Sequence, residues 1–265
     1  MIFTKLTYFL EIANRFDTLI WFLFRPKYWE HTFYKIIRKF LLNHDSPKDK
    51  IKATKWASLN SVSSRKALLN LGFKGSYKNL NGNYLKHAKV RASKSPIKMG
   101  GPADLNLLYN SVKLLKASRV IETGVAYGWS SLSILKAFSE RKKKGVLYSV
   151  DMPYPKKKNE DYVGIVVPKN LRKYWYILRK PDRPGIIDAI KLAKHQVDLC
   201  HYDSDKNWWG RSYAFPLLWN ALRPGGLFIS DDIQDNLYFY YFVKSNSLNF
   251  AITKHKGKFI GLIRK

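Results

Sequence analysis

From Pro102 to the C-terminus, short apolar runs alternate with segments of helical periodicity, and no other feature of the chain constrains its fold as strongly. "RVIETG", "VLYSVD", "YWYILRK", "VDLCHYD" and "GLFISDD" read as strands. "ADLNLLYNSVKLLK", "WSSLSILKAFSERKKK", "PGIIDAIKLAKH" and the segment around "YAFPLLWNALR" read as the helices before and between them. Strands that are apolar throughout and alternate with helices specify a parallel sheet covered on both faces. "NLYFYYFVKS" adds a last helix, and "FAITKH" and "KFIGLIRK" flank "KG" as a hairpin that supplies an antiparallel edge. Ligands of such sheets bind beyond the carboxyl ends of the strands, where the strand order reverses.

Acidic residues sit along that edge. Glu122 ends the first strand, Asp151 the second, Asp203 the fourth, and Asp231 with Asp232 the fifth. A single acid of this kind is an ordinary helix cap, but acids on four strand ends form a constellation. Gly124 and Gly128 allow the backbone to turn tightly and a ligand to approach closely. A dinucleotide loop carries a further glycine between them, where Ala126 and Tyr127 stand, and Glu122 would repel its pyrophosphate. This argues against a nicotinamide dehydrogenase. Asp151 lies 27 positions after Gly124, a spacing suited to holding ribose hydroxyls. An adenosine-like ligand bearing an ammonium and a sulfonium answers both features, and S-adenosyl-L-methionine is such a ligand.

On "VIETGVAYG", "YSVDMPY", "VDLCHYDSDKNWW", "LRPGGLFISDDI" and the closing "GLIRK", the chain from about residue 100 onward resembles the class I S-adenosylmethionine-dependent methyltransferases. The branch it looks like holds O-methyltransferases and cephalosporin hydroxylase-like relatives. The resemblance implies a Rossmann-like α/β domain over residues 96–265, with a seven-stranded, mostly parallel sheet, helices on both faces and the antiparallel C-terminal hairpin. Residues 1–95 are then a helical, basic N-terminal extension or cap. The implied cofactor-binding set is Glu122, Gly124, Ala126, Tyr127, Gly128 and Ser130 in the loop, Asp151 at the ribose, and Asp203 beside the methyl-donor sulfur.

In metal-dependent relatives the strand-four acid and two residues after strand five hold a divalent cation; the matching positions are Asp203, Asp231 and Asp232. This all-oxygen set suits Mg²⁺ or another hard divalent cation such as Ca²⁺ or Mn²⁺, which would lower the pKa of an acceptor hydroxyl. The competing use of Asp231 or Asp232 is to cap a helix from Ile233. Asp203 and Lys206 are the catalytic candidates. Many relatives carry His at the position of Lys206, whereas plant-type cation-dependent O-methyltransferases carry a lysine. Lys206 serves as a base if burial lowers its pKa and is otherwise a surface charge. His201 is expected to pack or hydrogen-bond, and Trp208 and Trp209 to wall a pocket or fill the core.

Charge bears on partners. The net charge is +29, and no acidic residue falls between Asp49 and Asp104. Such a field attracts nucleic acid, an anionic membrane surface or an acidic glycan, or is simply a solvated basic surface. Residues 1–43 read as two amphipathic helices broken at Pro26, forming a cap, a homodimer surface or a peripheral membrane contact. Residues 44–103 are polar, basic and weakly periodic, and part of them reads as linker or a mobile cover over a site. "TLIWFLF" is far short of the roughly 20 residues a spanning helix needs, and the lone Cys200 excludes an internal disulfide. The expected location is the cytoplasm, with peripheral contact at the inner membrane face. The expected acceptor is a hydroxyl of a small molecule or glycan, anionic in view of the lysines in the 152–173 insert. The alternatives are an RNA methyltransferase, for which no RNA-binding module is evident, and a non-catalytic membrane-surface protein with a degenerate methyltransferase fold.

Overall fold

A computed structural model describes residues 20–40, 45–141, 144–153 and 160–265. The first nineteen positions of the expected N-terminal helix and the lysines at 156–158 lie outside the described residues. The strands are β1 (Ser61–Val62), β2 (Arg119–Thr123), β3 (Val146–Val150), β4 (Trp175–Leu178), β5 (Val197–Tyr202), β6 (Leu222–Ser230), β7 (Phe250–His255) and β8 (Lys258–Arg264). They form one sheet in the order β1-β7-β8-β6-β5-β2-β3-β4. Only β8 runs antiparallel to its neighbours, β6 and β7; the other pairs are parallel. The strand order reverses at β2, which lies between β3 and β5. The hairpin turn places Lys256 and Gly257 at φ +48° and +83°, the paired positive values that let a two-residue turn follow strand twist.

The helices are α1 (Trp29–Phe40), α2 (Pro47–Leu59), α3 (Ser64–Asn70), α4 (Gly82–Ala92), α5 (Leu105–Leu115), α6 (Trp129–Ser139), α7 (Asp182–Leu192), α8 (Trp208–Ala221) and α9 (Tyr238–Ser245). Strand periodicity divides the core in two. Val120, Leu199 and Leu227 lie side by side in register and pack on one face with residues of α5 and α6. Their neighbours Ile121, Cys200 and Phe228 pack on the other with residues of α7, α8 and α9. Both faces are therefore dry, which is why these strands read as unbroken apolar runs.

Three helices and one strand lie within residues 45–103. Ser46 caps α2 by accepting from the Asp49 amide at 3.1 Å, and the helix buries only Ala53 and Ala57, too little apolar pattern to announce itself. Trp56 packs on Phe239 and Phe250 at ring-centre separations of 6.3 and 5.5 Å. Leu68 and Leu71 enter the same core as Val120, each burial stabilising by roughly 1.5–3 kcal/mol. Next to them β1 pairs with β7 through Ser61–Ile252 and Val62–Thr253, so the sheet has an eighth strand beyond the seven expected. Two residues without an apolar run carry no strand signal; β7 supplies the pairing.

Candidate active site

The turn from β2 into α6 lies at the strand-order reversal. Gly124 has φ +82°, and a Cβ there would collide with the Asp203 carbonyl oxygen, so glycine is required for the loop to lie against the end of β5. Gly128, at φ +83°, opens α6 against Gly164 and Trp175. Ala126 stands at φ +46°, bearing the left-handed conformation that the absent central glycine would have adopted at no cost. Asp151 fastens the loop by accepting from the Val125 amide at 3.2 Å. Its carboxylate is also paired with Arg179, whose guanidinium reaches Glu160 at 2.6 Å. Burial raises the Asp151 pKa, with Arg179 opposing.

A cavity of about 570 Å³ opens above this turn, lined by Gly124, Ala126, Ser130, Asp151 and Asp203, among others. Gly128 does not line it, and two further expected members of the set stand elsewhere. Tyr127 is in the core, its hydroxyl bonded to the Ile97 carbonyl. Glu122 is wholly buried and has no surface on the cavity. Register explains its place: Ser149 on β3 and His201 on β5 flank Glu122 across the sheet. Ser131 and Ser149 donate to its Oε2 at 2.5 and 2.7 Å, and His201 Nδ1 lies 3.8 Å from Oε1. On the far side His201 Nε2 lies 3.5 Å from Asp231. Burial works against a charge on His201, but Asp231 and Glu122 outweigh it and raise its pKa to about 10. Glu122 thus lies beneath the loop, between Ser149 and His201, with no surface on the cavity.

Asp203 and Lys206 do converge. Lys206 Nζ lies 2.8 Å from Asp203 and contacts Asp232, which also receives Lys258 at 3.0 Å. Burial alone would lower the Lys206 pKa, as a base requires, but Asp203 and Asp232 reverse the shift and raise it. The two carboxylates therefore favour the charged form of Lys206. Burial and the nearby Asp231 raise Asp203 to about 6, against the pull of Lys206. Asp232 feels the same burial but is lowered by its two lysines. Its side chain caps no helix, although its backbone precedes the short turn Ile233–Asp235.

The metal reading does not fit this arrangement. Two ammonium groups occupy Asp203 and Asp232, and Asp231 turns to His201. Among the described residues no three His, Cys, Asp or Glu side chains are grouped to hold a metal ion. A divalent cation would have to expel Lys206.

Three contributors had no distinct sequence signal. Arg211, completely buried on α8, donates to the carbonyls of Lys206, Asp231 and Asp232 at 3.0, 3.2 and 2.7 Å, clamping the two loops that carry the acids. Asp182 opens α7, lines the cavity and is raised to about 6 by burial despite a hydrogen bond from Ser204. Trp129, not Trp208, walls the cavity; Trp208 packs edge-on against Tyr238 and Tyr241.

A nucleoside-sized cavity over a glycine turn at the switch point of a parallel sheet, with an antiparallel hairpin at its far side, defines the class I methyltransferase fold. Residues 121–233 match the family described as a methyltransferase domain. An O-methyltransferase from Bacillus cereus in complex with SAH is similar, with 14% identity, a TM-score of 0.54, and coverage of 79% of this chain and 100% of that one. The O-methyltransferase TomG from Streptomyces achromogenes, involved in tomaymycin synthesis and solved with SAM, has 14% identity, a TM-score of 0.53 and coverage of 77% and 98%. SAH-bound PaMTH1 from Podospora anserina has 12% identity, a TM-score of 0.52 and coverage of 83% and 96%. No curated protein matches the chain by sequence.

Proposed function

We propose that the protein methylates a hydroxyl of a sugar, glycan or small hydroxylated metabolite, using S-adenosylmethionine and no divalent metal. One observation carries the reading. A second cavity of about 240 Å³ adjoins the first, and the two share Gly101, Ala103, Asp203 and Lys258 in their walls. Asp203 therefore stands between a chamber suited to the nucleoside and one suited to an acceptor. S-adenosylmethionine, when bound, supplies a methyl group already activated on a sulfonium, so positioning accounts for much of the rate. Asp151 offers its carboxylate at the ribose end, while the Gly124 turn admits close approach. Asp203, raised to about 6, would hold the acceptor hydroxyl and take its proton. Lys206 stays charged, holds Asp203 in place and offers its protons to an acceptor oxygen.

The test is thermal shift and calorimetry with S-adenosylhomocysteine, with and without EDTA or Mg²⁺. Stabilisation by the nucleoside, indifferent to both additions, is expected. No stabilisation would sink the methyltransferase reading for this site. Binding or transfer to a hydroxylated acceptor that EDTA abolishes and Mg²⁺ restores would sink the metal-free part.

A further inference from the structure

We propose that residues 20–40 dock the protein on the surface of an anionic lipid bilayer. Leu23, Phe24, Trp29 and Phe33 are 58, 80, 53 and 61% exposed on this one short segment. They are not core residues turned outward by a poor fit, because the inward positions are filled by the buried Phe22 and Tyr28. The face is also held in place. The Trp29 indole N–H donates to the carbonyls of Phe22 and Leu23, each at 3.1 Å, and Trp21 stacks on Tyr28 at 5.2 Å. The Arg183 guanidinium on α7 lies over Tyr34 at 3.8 Å and Tyr213 at 4.3 Å, fastening α1 to the main domain. A contiguous cluster of exposed aromatic and aliphatic side chains on one segment is a binding surface rather than scattered surface apolarity.

Charge selects the occupant. Residues 20–40 contain Arg25, Lys27, Lys35, Arg38 and Lys39 against the single acid Glu30, in a chain of net charge +29. That balance opposes a second copy of the same chain on this face and favours a negatively charged surface. A bilayer interface takes up bulky apolar side chains and basic ones together, where aromatic rings sit at headgroup depth. Among the described residues no helix is long and apolar enough to cross a membrane, so the contact is a surface one. Phe22, within the same segment, lines the larger cavity, which sets the docked surface beside the cofactor cleft.

Flotation of the full-length protein tests this, using vesicles of phosphatidylcholine alone and of phosphatidylcholine mixed with phosphatidylglycerol. Wild type is expected to float with the mixed vesicles. The triple substitution Leu23→Ser, Phe24→Ser and Phe33→Ser is expected to weaken partitioning by roughly tenfold or more, since insertion scales with buried apolar area. The variant's melting temperature and S-adenosylhomocysteine affinity should stay at wild-type values, which separates docking from folding and from the cleft. Four results would overturn the proposal, the first three concerning lipid and self-association. These are no partitioning of wild type into either vesicle, equal partitioning of wild type and variant, or a lipid-free dimer that the triple substitution dissociates. Equally damaging would be tight binding to a single-stranded RNA that the same three substitutions abolish.

Discussion

Arg211→Met removes the clamp beneath the acidic loops while keeping the length and packing of the side chain. Arg211 makes three charge-assisted hydrogen bonds, at 3.0, 3.2 and 2.7 Å, to carbonyls of the β5–α8 and β6–α9 connections. Bonds of that kind contribute about 1.5–3 kcal/mol each. Against their loss, the variant no longer holds a guanidinium out of water, which returns several kcal/mol. The Lys206 carbonyl also keeps a bond from Asn236 at 2.9 Å, and the Asp232 carbonyl keeps one from the Asp235 amide at 3.0 Å. The net cost comes to about 3 kcal/mol. In a protein of this size that lowers the melting temperature by roughly 6–12 °C. Circular dichroism melts check the stability, and the pH dependence of S-adenosylmethionine binding reports whether Lys206 still holds Asp203. Arg211→Lys should recover part of the loss. A melting temperature and pH profile unchanged in Arg211→Met would refute the clamp and leave the loops to be held by their own backbone bonds.

Further expectations follow from the same geometry. Gly124→Ala places a Cβ on the Asp203 carbonyl at a left-handed φ, with strain of order 1–3 kcal/mol, and should weaken S-adenosylhomocysteine binding about tenfold or more in calorimetry. Asp203 is raised in the fold to about 6, so the folded state binds the extra proton between the ordinary carboxylate range and that value. Its contribution to stability therefore falls as pH rises through this window. The preference for the sulfonium S-adenosylmethionine over the neutral S-adenosylhomocysteine should rise over the same window. That limb should vanish in Asp203→Asn and survive in Asp182→Asn, which separates the two cleft carboxyls raised to about 6. Cys200 is fully buried and its thiol is pushed up by burial, so maleimide should label it only as fast as the protein unfolds.

Local chemistry made much of this protein readable from its sequence. The period of the apolar residues marked the main strands and helices, because strands buried on both faces must be apolar throughout. Gly124 and the acids at strand ends marked the edge where the cavity opens, because a parallel sheet delivers its carboxyl ends to one side. Register and packing lie beyond local pattern, and they decided the rest. Pairing with Ser149 and His201 sealed Glu122 beneath the loop, though its sequence position suggested a group facing the ligand. Two carboxylates from separate strands meet Lys206, a residue the sequence offers as a base or a surface charge, and favour its charged form. Ala53 and Ala57 gave α2 no visible stripe, and β7 alone made a strand of Ser61–Val62. Arg211 reads as one more basic residue on a helix; only the fold turns it inward, to three carbonyls from two distant loops.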